Sequence, residues 1–171
     1  IKKEMEIDVI SFDKITFGDA MEKVLDIEKN EFSLETFSVN HVLYRNFSVF
    51  IYRVFNFIDP IEIVRWINII SAVIVLNILF LILRKVINNN WISLLGVVVF
   101  GFSFTFWKNT ENIEVYTFSL IWINLYCLFA IDFIKNRKNK ILLISGCILG
   151  FSLYCHIQGI LLIPSYFYLI Y

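Results

Sequence analysis

Long apolar runs separated by short charged segments dominate the chain after residue 60. A predominantly apolar helix of about 20 residues crosses a bilayer, and residues 63–83 have that character before they end at Arg84-Lys85. Further apolar stretches predict four more helical segments, at 91–107, 115–134, 141–156 and 157–171. The last two meet near His156 and the final one is truncated; one kinked helix is the alternative. The pattern predicts an all-α integral membrane protein, a multi-pass helical bundle over 61–171.

Residues 42–60 are shorter and amphipathic. Arg45 and other polar residues fall on one face, and helical spacing puts an apolar stripe on another, formed by Leu43, Phe47, Phe50, Val54 and Phe57. We predict an interfacial helix, lying along the membrane surface rather than crossing it, that ends at Asp59-Pro60.

The first 41 residues form an acidic segment ahead of this membrane body. Residues 1–40 carry ten acids against five lysines, whereas 41–171 carry five acids against ten basic residues. No run here is long enough to span a bilayer. Asp19 is predicted to cap a helix, with Glu22 in capping-box position.

Composition supports the membrane assignment and excludes several other classes. The chain is 58% hydrophobic and 18% charged, whereas a soluble domain has about half and about a quarter. Balanced charge gives no sign of a nucleic-acid partner, and three cysteines within apolar runs do not suit a secreted disulfide scaffold. Because the chain starts at Ile1 and stops within an apolar run, we expect an N-terminal fragment of a longer polytopic protein.

Basic residues predict the orientation of the bundle. Arg84-Lys85 and the basic residues of 135–140 flank alternate loops on one side, which the positive-inside rule makes cytoplasmic. The acidic loop 1–41, the loop 108–114 and His156 then share the outer face. We expect a bacterial inner membrane with this face in the periplasm, or the lumen of the endoplasmic reticulum in a eukaryote.

Candidate chemistry is concentrated in these outer segments. Asp19 and Glu22 suit a general base or the ligands of a divalent metal; the alternative is that they cap a helix in an acidic loop. Glu114 lies in a loop bracketed by Trp107 and Tyr116 at headgroup depth, where the alternative is a solvated connector.

Histidine and arginine supply the remaining candidates. His156 interrupts an apolar stretch, where an ionisable residue indicates function by default, although a helix-end residue bonded to the backbone is the alternative. His41 and Arg45 begin the amphipathic helix, and Arg65 with Asn68 lies near the outer end of the first span. These residues suit contacts with phosphate.

Several other chemistries are not indicated by the sequence. It contains no glycine-rich phosphate loop, metal-spaced Cys/His cluster or Ser-His-Asp arrangement. Transporters place polar groups at the bilayer midplane, where Asn77 and Asn124 are the notable polar residues. We predict that both make hydrogen bonds between helices.

Four stretches, taken in order, resemble a known family. They are Thr16–Glu22 (T-F-G-D-A-M-E), Asn40–Tyr44, Asp59-Pro60 with 65–72, and a final set comprising 104–107, 114–116 and 150–164. In this order they resemble the GT-C class of polytopic glycosyltransferases, most closely its protein O-mannosyltransferase-like branch. The second stretch lacks the prolines and glycine of that branch.

The resemblance implies a membrane glycosyltransferase that moves a mannose-like sugar from a polyprenyl-phosphate donor to an acceptor hydroxyl of a protein or glycan. Transfer would occur on the outer face with inversion, Asp19 acting as general base and Glu22 as the second catalytic carboxylate. Donor binding would fall to His41, Arg45, Arg65, Glu114, Tyr116 and His156.

The resemblance also implies a first transmembrane helix upstream of Ile1. No cofactor is implied with certainty, and a divalent metal stays open because some members of the class use one. The alternatives are a non-catalytic membrane scaffold, and a transporter or flippase of lipid-linked substrates.

Overall fold

The computed structural model describes residues 41–112 and 114–171, together with Val24, Ile27 and Phe32. Over these residues the chain is helical and contains no β-strand. The predicted all-α fold is therefore confirmed. Asp19 and Glu22 lie outside the described residues.

Seven α-helices make up the described part of the chain. They are α1 (Val42–Val54), α2 (Pro60–Ile87), α3 (Asn90–Gly101), α4 (Phe104–Glu111), α5 (Tyr116–Asn136), α6 (Asn139–Cys155) and α7 (Ile163–Ile170), with a 3-10 helix, Ile157–Leu162, between the last two. By length and composition α2 and α5 can each cross a membrane, and α3 with α4 would make a third, bent span. The α6 helix and the segment after it are apolar but shorter.

Helix α2 begins and ends at residues suited to those positions. The Asp59 carboxylate accepts a hydrogen bond from the Ile61 N–H (2.8 Å), and Pro60 occupies the first turn, where its missing N–H costs nothing. At the other end Asn88 adopts a left-handed conformation (φ 55°) and closes the helix. The helix therefore starts before the predicted residue 63, and α1 ends at Val54 rather than at residue 60.

The segment predicted as one helix over 91–107 is instead two helices at an angle of 60°. Gly101 ends α3, and Ser103 is extended (ψ 138°) where α4 begins. Glycine is a poor helix former, and serine favours helix N-termini, which accounts for the break here. Helix α4 then continues to Glu111, into the stretch predicted as a loop.

Helix α5 lies between α2 and α6 and forms the centre of the bundle. Tyr126 of α5 packs against Ile148 and Leu149 of α6. Several buried hydroxyls bond within their own helix, as when Ser71 donates to the carbonyl of Ile67 (2.6 Å). Apolar packing, with hydroxyls that bond to the backbone of their own helix, suits a bundle in lipid.

Asn77 was predicted to make a hydrogen bond between helices, and that prediction is wrong. Its side chain is exposed on α2 and donates to the Val73 carbonyl one turn earlier (2.7 Å). A bond within the helix satisfies the amide without a neighbouring helix.

Helix α1 packs on the bundle through a different face from its predicted apolar stripe. Tyr44, Ser48 and Val49 are buried against α2, α5 and the end of α6. Phe47 and Phe50, members of the predicted stripe, are instead exposed. Val54 and Phe57 are exposed as well, whereas Leu43 packs against the core, so most of the stripe faces outward.

Charged residues gather at one end of the bundle. Lys85 of α2 forms an ion pair with Asp132 of α5, and Lys135 donates to the Lys85 carbonyl. The starts of α2 and α5 and the end of α6 meet at the other end, next to α1. A helical rise of ~1.5 Å per residue separates Asn68 from Lys85 by ~26 Å along α2.

Two glycines near the end of α6 give a matched test of this packing. A Cβ on Gly159 would lie 2.7 Å from the Ser152 Oγ and 2.9 Å from the Ser152 carbonyl carbon. We therefore expect Gly159→Ala to lower the free energy of unfolding by about 1–3 kcal/mol. The measurement is the thermal unfolding midpoint of the full chain in detergent.

Gly150→Ala is the control, since a Cβ there meets no atom within 4 Å. It should leave the midpoint unchanged or raise it, because alanine favours helix over glycine by about 0.5–1 kcal/mol. Equal midpoints for the two variants would contradict the close approach at Gly159.

Candidate functional site

Three predicted site residues from distant parts of the chain meet at one end of the bundle. His41 precedes α1, Tyr116 is the first residue of α5, and His156 directly follows α6. The His41 and His156 rings stack with centroids 5.2 Å apart and planes 29° apart. Tyr116 lies against His156 at 5.3 Å. We call these three residues the imidazole cluster.

Backbone contacts indicate which ring nitrogens carry protons. The His41 Nδ1 lies 3.3 Å from the Cys155 carbonyl, which can only accept, so this nitrogen donates. The His156 Nδ1 accepts from the Gln158 N–H (3.1 Å). A neutral His156 therefore carries its proton on Nε2.

The chain is extended at His156 because helix α6 ends there. The His156 N–H bonds to the Ser152 carbonyl (2.9 Å), and the residue itself has φ −159° and ψ 141°. Its side chain then caps the 3-10 helix that follows. His156 therefore does act as a helix-end residue bonded to the backbone, which was the alternative considered for it. This role also positions its imidazole against His41 and Tyr116.

A buried hydrogen-bond network lies beside the imidazole cluster. The Tyr44 hydroxyl donates to the Asn68 Oδ1 (3.2 Å), and the Asn68 Nδ2 donates to the Asn112 carbonyl (2.7 Å). Asn68 is fully buried, so its amide depends on these partners. The network joins α1, α2 and the segment that leads into α5.

The pKa of Tyr44 reflects the burial and the charges of this region. Burial raises its pKa well above the usual range, and the neighbouring Cys155 thiol and Glu114 carboxylate raise it further. The phenol therefore stays protonated across the physiological range and keeps donating to Asn68. Because Glu114 interacts electrostatically with Tyr44, Glu114 also lies at this end of the bundle.

The two predicted arginines lie on α1 and α2. Arg45 is half-buried, one turn after His41, whose carbonyl accepts from the Arg45 N–H (2.9 Å). Arg65 lies one turn before Asn68 and donates to the Glu62 carboxylate (3.1 Å). Its guanidinium is therefore already partly neutralised.

Sequence reasoning missed the structural role of three residues. Asn68 was predicted to contact phosphate, but its amide is buried and bonded within the protein. Tyr44 and Asn112, its partners, were not singled out. An asparagine within an apolar span was the available signal, although the sequence does not say which segments it joins.

An apolar groove lies at the same end of the bundle as the imidazole cluster, since its lining residues Ile63, Ile67 and Phe118 belong to the apolar cluster that also contains Cys155. It has a volume of about 410 Å³ and lies between α1, α2 and α5, with Phe47, Phe55, Trp66, Ile70, Ile74 and Phe118 among its lining residues. Phe47 and Phe118 stack at 5.4 Å, and Phe118 follows Tyr116 by two residues. On α2 the lining extends from Ile63 to Ile74, ~16 Å at the helical rise.

A divalent metal was left open for this site. Within residues 41–112 and 114–171, no group of three or more His, Cys, Asp or Glu side chains is placed to hold a metal ion. Asp19 and Glu22, the carboxylates considered as possible metal ligands, lie outside the described residues.

The fold and site define an all-α membrane protein in which polar side chains from separate segments meet beside an apolar groove. The chain belongs to the family of the Protein O-mannosyl-transferase TMEM260 N-terminal domain, whose model matches residues 32–171. Neither a curated protein nor a solved structure matches it. The family supports a glycosyltransferase that uses a sugar donor and a protein acceptor. The match includes the imidazole cluster but begins after Asp19 and Glu22.

The buried network gives a testable consequence for stability. Tyr44→Phe removes the hydroxyl that donates to Asn68 and leaves a buried amide oxygen without this donor. We expect the free energy of unfolding to fall by about 1–3 kcal/mol. The measurement is denaturation of the full chain in detergent micelles.

Tyr154→Phe is the matched control, because Tyr154 is 66% exposed and an exposed substitution changes stability by only about 0.5 kcal/mol or less. If Tyr44→Phe and Tyr154→Phe have the same free energy of unfolding, the hydrogen bond from Tyr44 to Asn68 does not stabilise the site.

Proposed function

We propose that this protein is a GT-C-type glycosyltransferase that moves a mannose-like sugar from a polyprenyl-phosphate donor to a hydroxyl of a protein acceptor. The reaction is a single inverting displacement. It takes place on the outer face of the membrane, the periplasmic face of a bacterial inner membrane, as the distribution of basic residues favours.

The observation that carries the proposal is the position of the imidazole cluster beside the apolar groove. A polyprenyl-phosphate sugar is an amphiphile, so its enzyme needs polar donors for the phosphate next to an apolar surface for the chain. His156 offers its Nε2–H, His41 offers a second ring N–H when its imidazole is protonated, and Phe47 and Phe118 line the groove. The two requirements are met within a few residues of each other on α1 and α5.

Phosphate is the leaving group of this reaction, so stabilising its charge is the main electrostatic task. In our proposal His41, His156 and Arg45 bind the phosphate, with Arg65 as a further cation. Ring N–H groups and guanidinium donors held in place before the reaction stabilise charge without reorganisation. Glu114 and Tyr116 orient the sugar and the acceptor. The reacting groups are then already held in place, which lowers the entropic cost of the transfer.

Asp19 is the proposed general base, and Glu22 is the second carboxylate. One observation supports their proximity to the site. Val24 and Ile27 are buried in the same apolar cluster as Tyr44 and Cys155, so the chain five residues after Asp19 is anchored at this end of the bundle. A carboxylate brought within hydrogen-bond reach of the acceptor hydroxyl would remove its proton as the sugar moves.

His156 gives a test that separates its chemistry from its structural role. Asparagine can still accept the hydrogen bond from Gln158 that caps the 3-10 helix. Nevertheless, His156→Asn should raise the donor KM about ten- to a hundredfold, because a hydrogen bond to the charged phosphate is lost. The assay is transfer of labelled mannose from polyprenyl-phosphate mannose by the full-length protein in membranes.

Gln158→Ala is the control, since only the backbone of Gln158 makes the capping bond. Its donor KM should match the wild type. An unchanged KM in His156→Asn would remove this histidine from the donor site. Absence of transfer by a folded, inserted wild type with several sugar donors would favour the scaffold or flippase alternative.

Asp19→Asn tests the general base in the same assay. The amide cannot take the proton of the acceptor, so kcat should fall by about 10²- to 10⁴-fold while binding of the donor persists. Full activity in this variant would contradict the assignment of Asp19. Glu22→Gln, compared alongside it, shows which carboxylate carries the reaction.

A further inference from the structure

A second, polar cavity lies at the opposite end of the bundle from the imidazole cluster. It has a volume of about 640 Å³ and is lined by Leu81, Arg84, Lys85, Val86 and Asn88 of the end of α2 and by Lys135 of α5. We call it the basic cavity. Nothing in the proposed sugar transfer uses it.

Positive charge exceeds negative charge around the basic cavity. Lys85 is paired with Asp132, and Lys135 donates to the Lys85 carbonyl, where it offsets the negative end of the α2 dipole. Arg84 is exposed at the rim. Residues 84–88 and 132–140 together carry six cations against one acid, the cations being Arg84, Lys85, Lys135, Arg137, Lys138 and Lys140.

The ion pair fixes the shape of this end. It joins the last turns of the two helices that can each cross a membrane, so the cations converge from separate helices rather than following one another along a single segment. Lys85 and Asp132 are both partly shielded, with side chains 36% and 25% exposed. A charge pair in such surroundings is screened less by salt than one fully in water.

Apolar residues adjoin these charges. Leu81 and Val86 line the cavity and are 41% and 64% exposed. Both lie on α2 within one or two turns of Arg84, at the depth where a spanning helix leaves the hydrocarbon. A ligand that fits this surface has an anionic group for the cations and apolar chains for the helix side.

We propose that the basic cavity binds the headgroup of an anionic phospholipid such as phosphatidylglycerol. Arg84 and Lys135 contact the phosphate, and Lys85 is held in place by Asp132 as a third positive charge. The acyl chains lie along the exposed apolar side of α2. Basic pockets between membrane helices bind anionic headgroups by this chemistry.

Matched charge variants test whether the cavity, rather than the general positive charge of this end, selects the lipid. Arg84→Gln with Lys135→Gln removes two cations from the cavity lining. Lys138→Gln with Lys140→Gln removes two from the same end but outside the lining. The experiment titrates phosphatidylglycerol into the full chain in micelles containing phosphatidylcholine and measures retained lipid by native mass spectrometry.

We expect wild type to retain phosphatidylglycerol over phosphatidylcholine, and the cavity double variant to bind it about 25-fold more weakly, at about fivefold per cation. The Lys138 and Lys140 double variant should stay within about twofold of wild type, since its charges act only at longer range. Should the cavity double variant fail to fold, the single variants Arg84→Gln and Lys140→Gln, both at exposed positions, give the same comparison.

Three results would overturn the proposal. Equal weakening in the two double variants would mean that diffuse surface charge attracts the lipid. Equal retention of the two lipids by wild type would mean that there is no anionic site. Displacement of the lipid by millimolar inorganic phosphate would mean that the cavity binds a free anion instead.

Discussion

The buried amide of Asn68 is the constraint on which the rest of the site depends. An unsatisfied amide in an apolar interior costs several kcal/mol, so a bundle of this composition must bring partners to it. Those partners are the Tyr44 hydroxyl and the Asn112 carbonyl. Satisfying the amide therefore ties α1 to α2 and fixes the segment that leads into α5.

This tie accounts for the position of the imidazole cluster. His41 lies one turn before Tyr44, and Tyr116 follows Asn112 by four residues, so both are carried by segments that Asn68 holds. His156 reaches them because α6 ends beside α5 and the chain becomes extended at that residue. The cluster is thus a consequence of one hydrogen-bond network and one helix end.

Helix α2 separates two regions with different charge and chemistry. One end carries Asn68 and borders the imidazole cluster and the apolar groove, whereas the other carries Arg84, Lys85 and the basic cavity. The ion pair between Lys85 and Asp132 joins α2 to α5 at this second end. A single long helix therefore links the proposed transfer site at one membrane face to the proposed lipid site at the other.

Local pattern predicts much of this protein. Apolar runs predict the two spanning helices, and the amphipathic spacing predicts α1, because both properties depend on residues a few positions apart. The Asp59-Pro60 boundary follows from backbone chemistry alone. His41, Tyr116 and His156 are also identifiable as candidates, since ionisable or amphipathic side chains at the edges of apolar runs are conspicuous.

Contacts between helices lie beyond such patterns. Most of the apolar stripe of α1 faces outward, and Tyr44, Ser48 and Val49 pack inward, because the surfaces of α2, α5 and α6, and not hydrophobicity alone, determine the inner face. Asn68 and Asn77 look alike in sequence, yet one joins three segments and the other bonds its own helix. Hydropathy indicates whether a segment lies in the membrane. The rotation of each helix and the identity of its neighbours depend instead on how all the helices pack together.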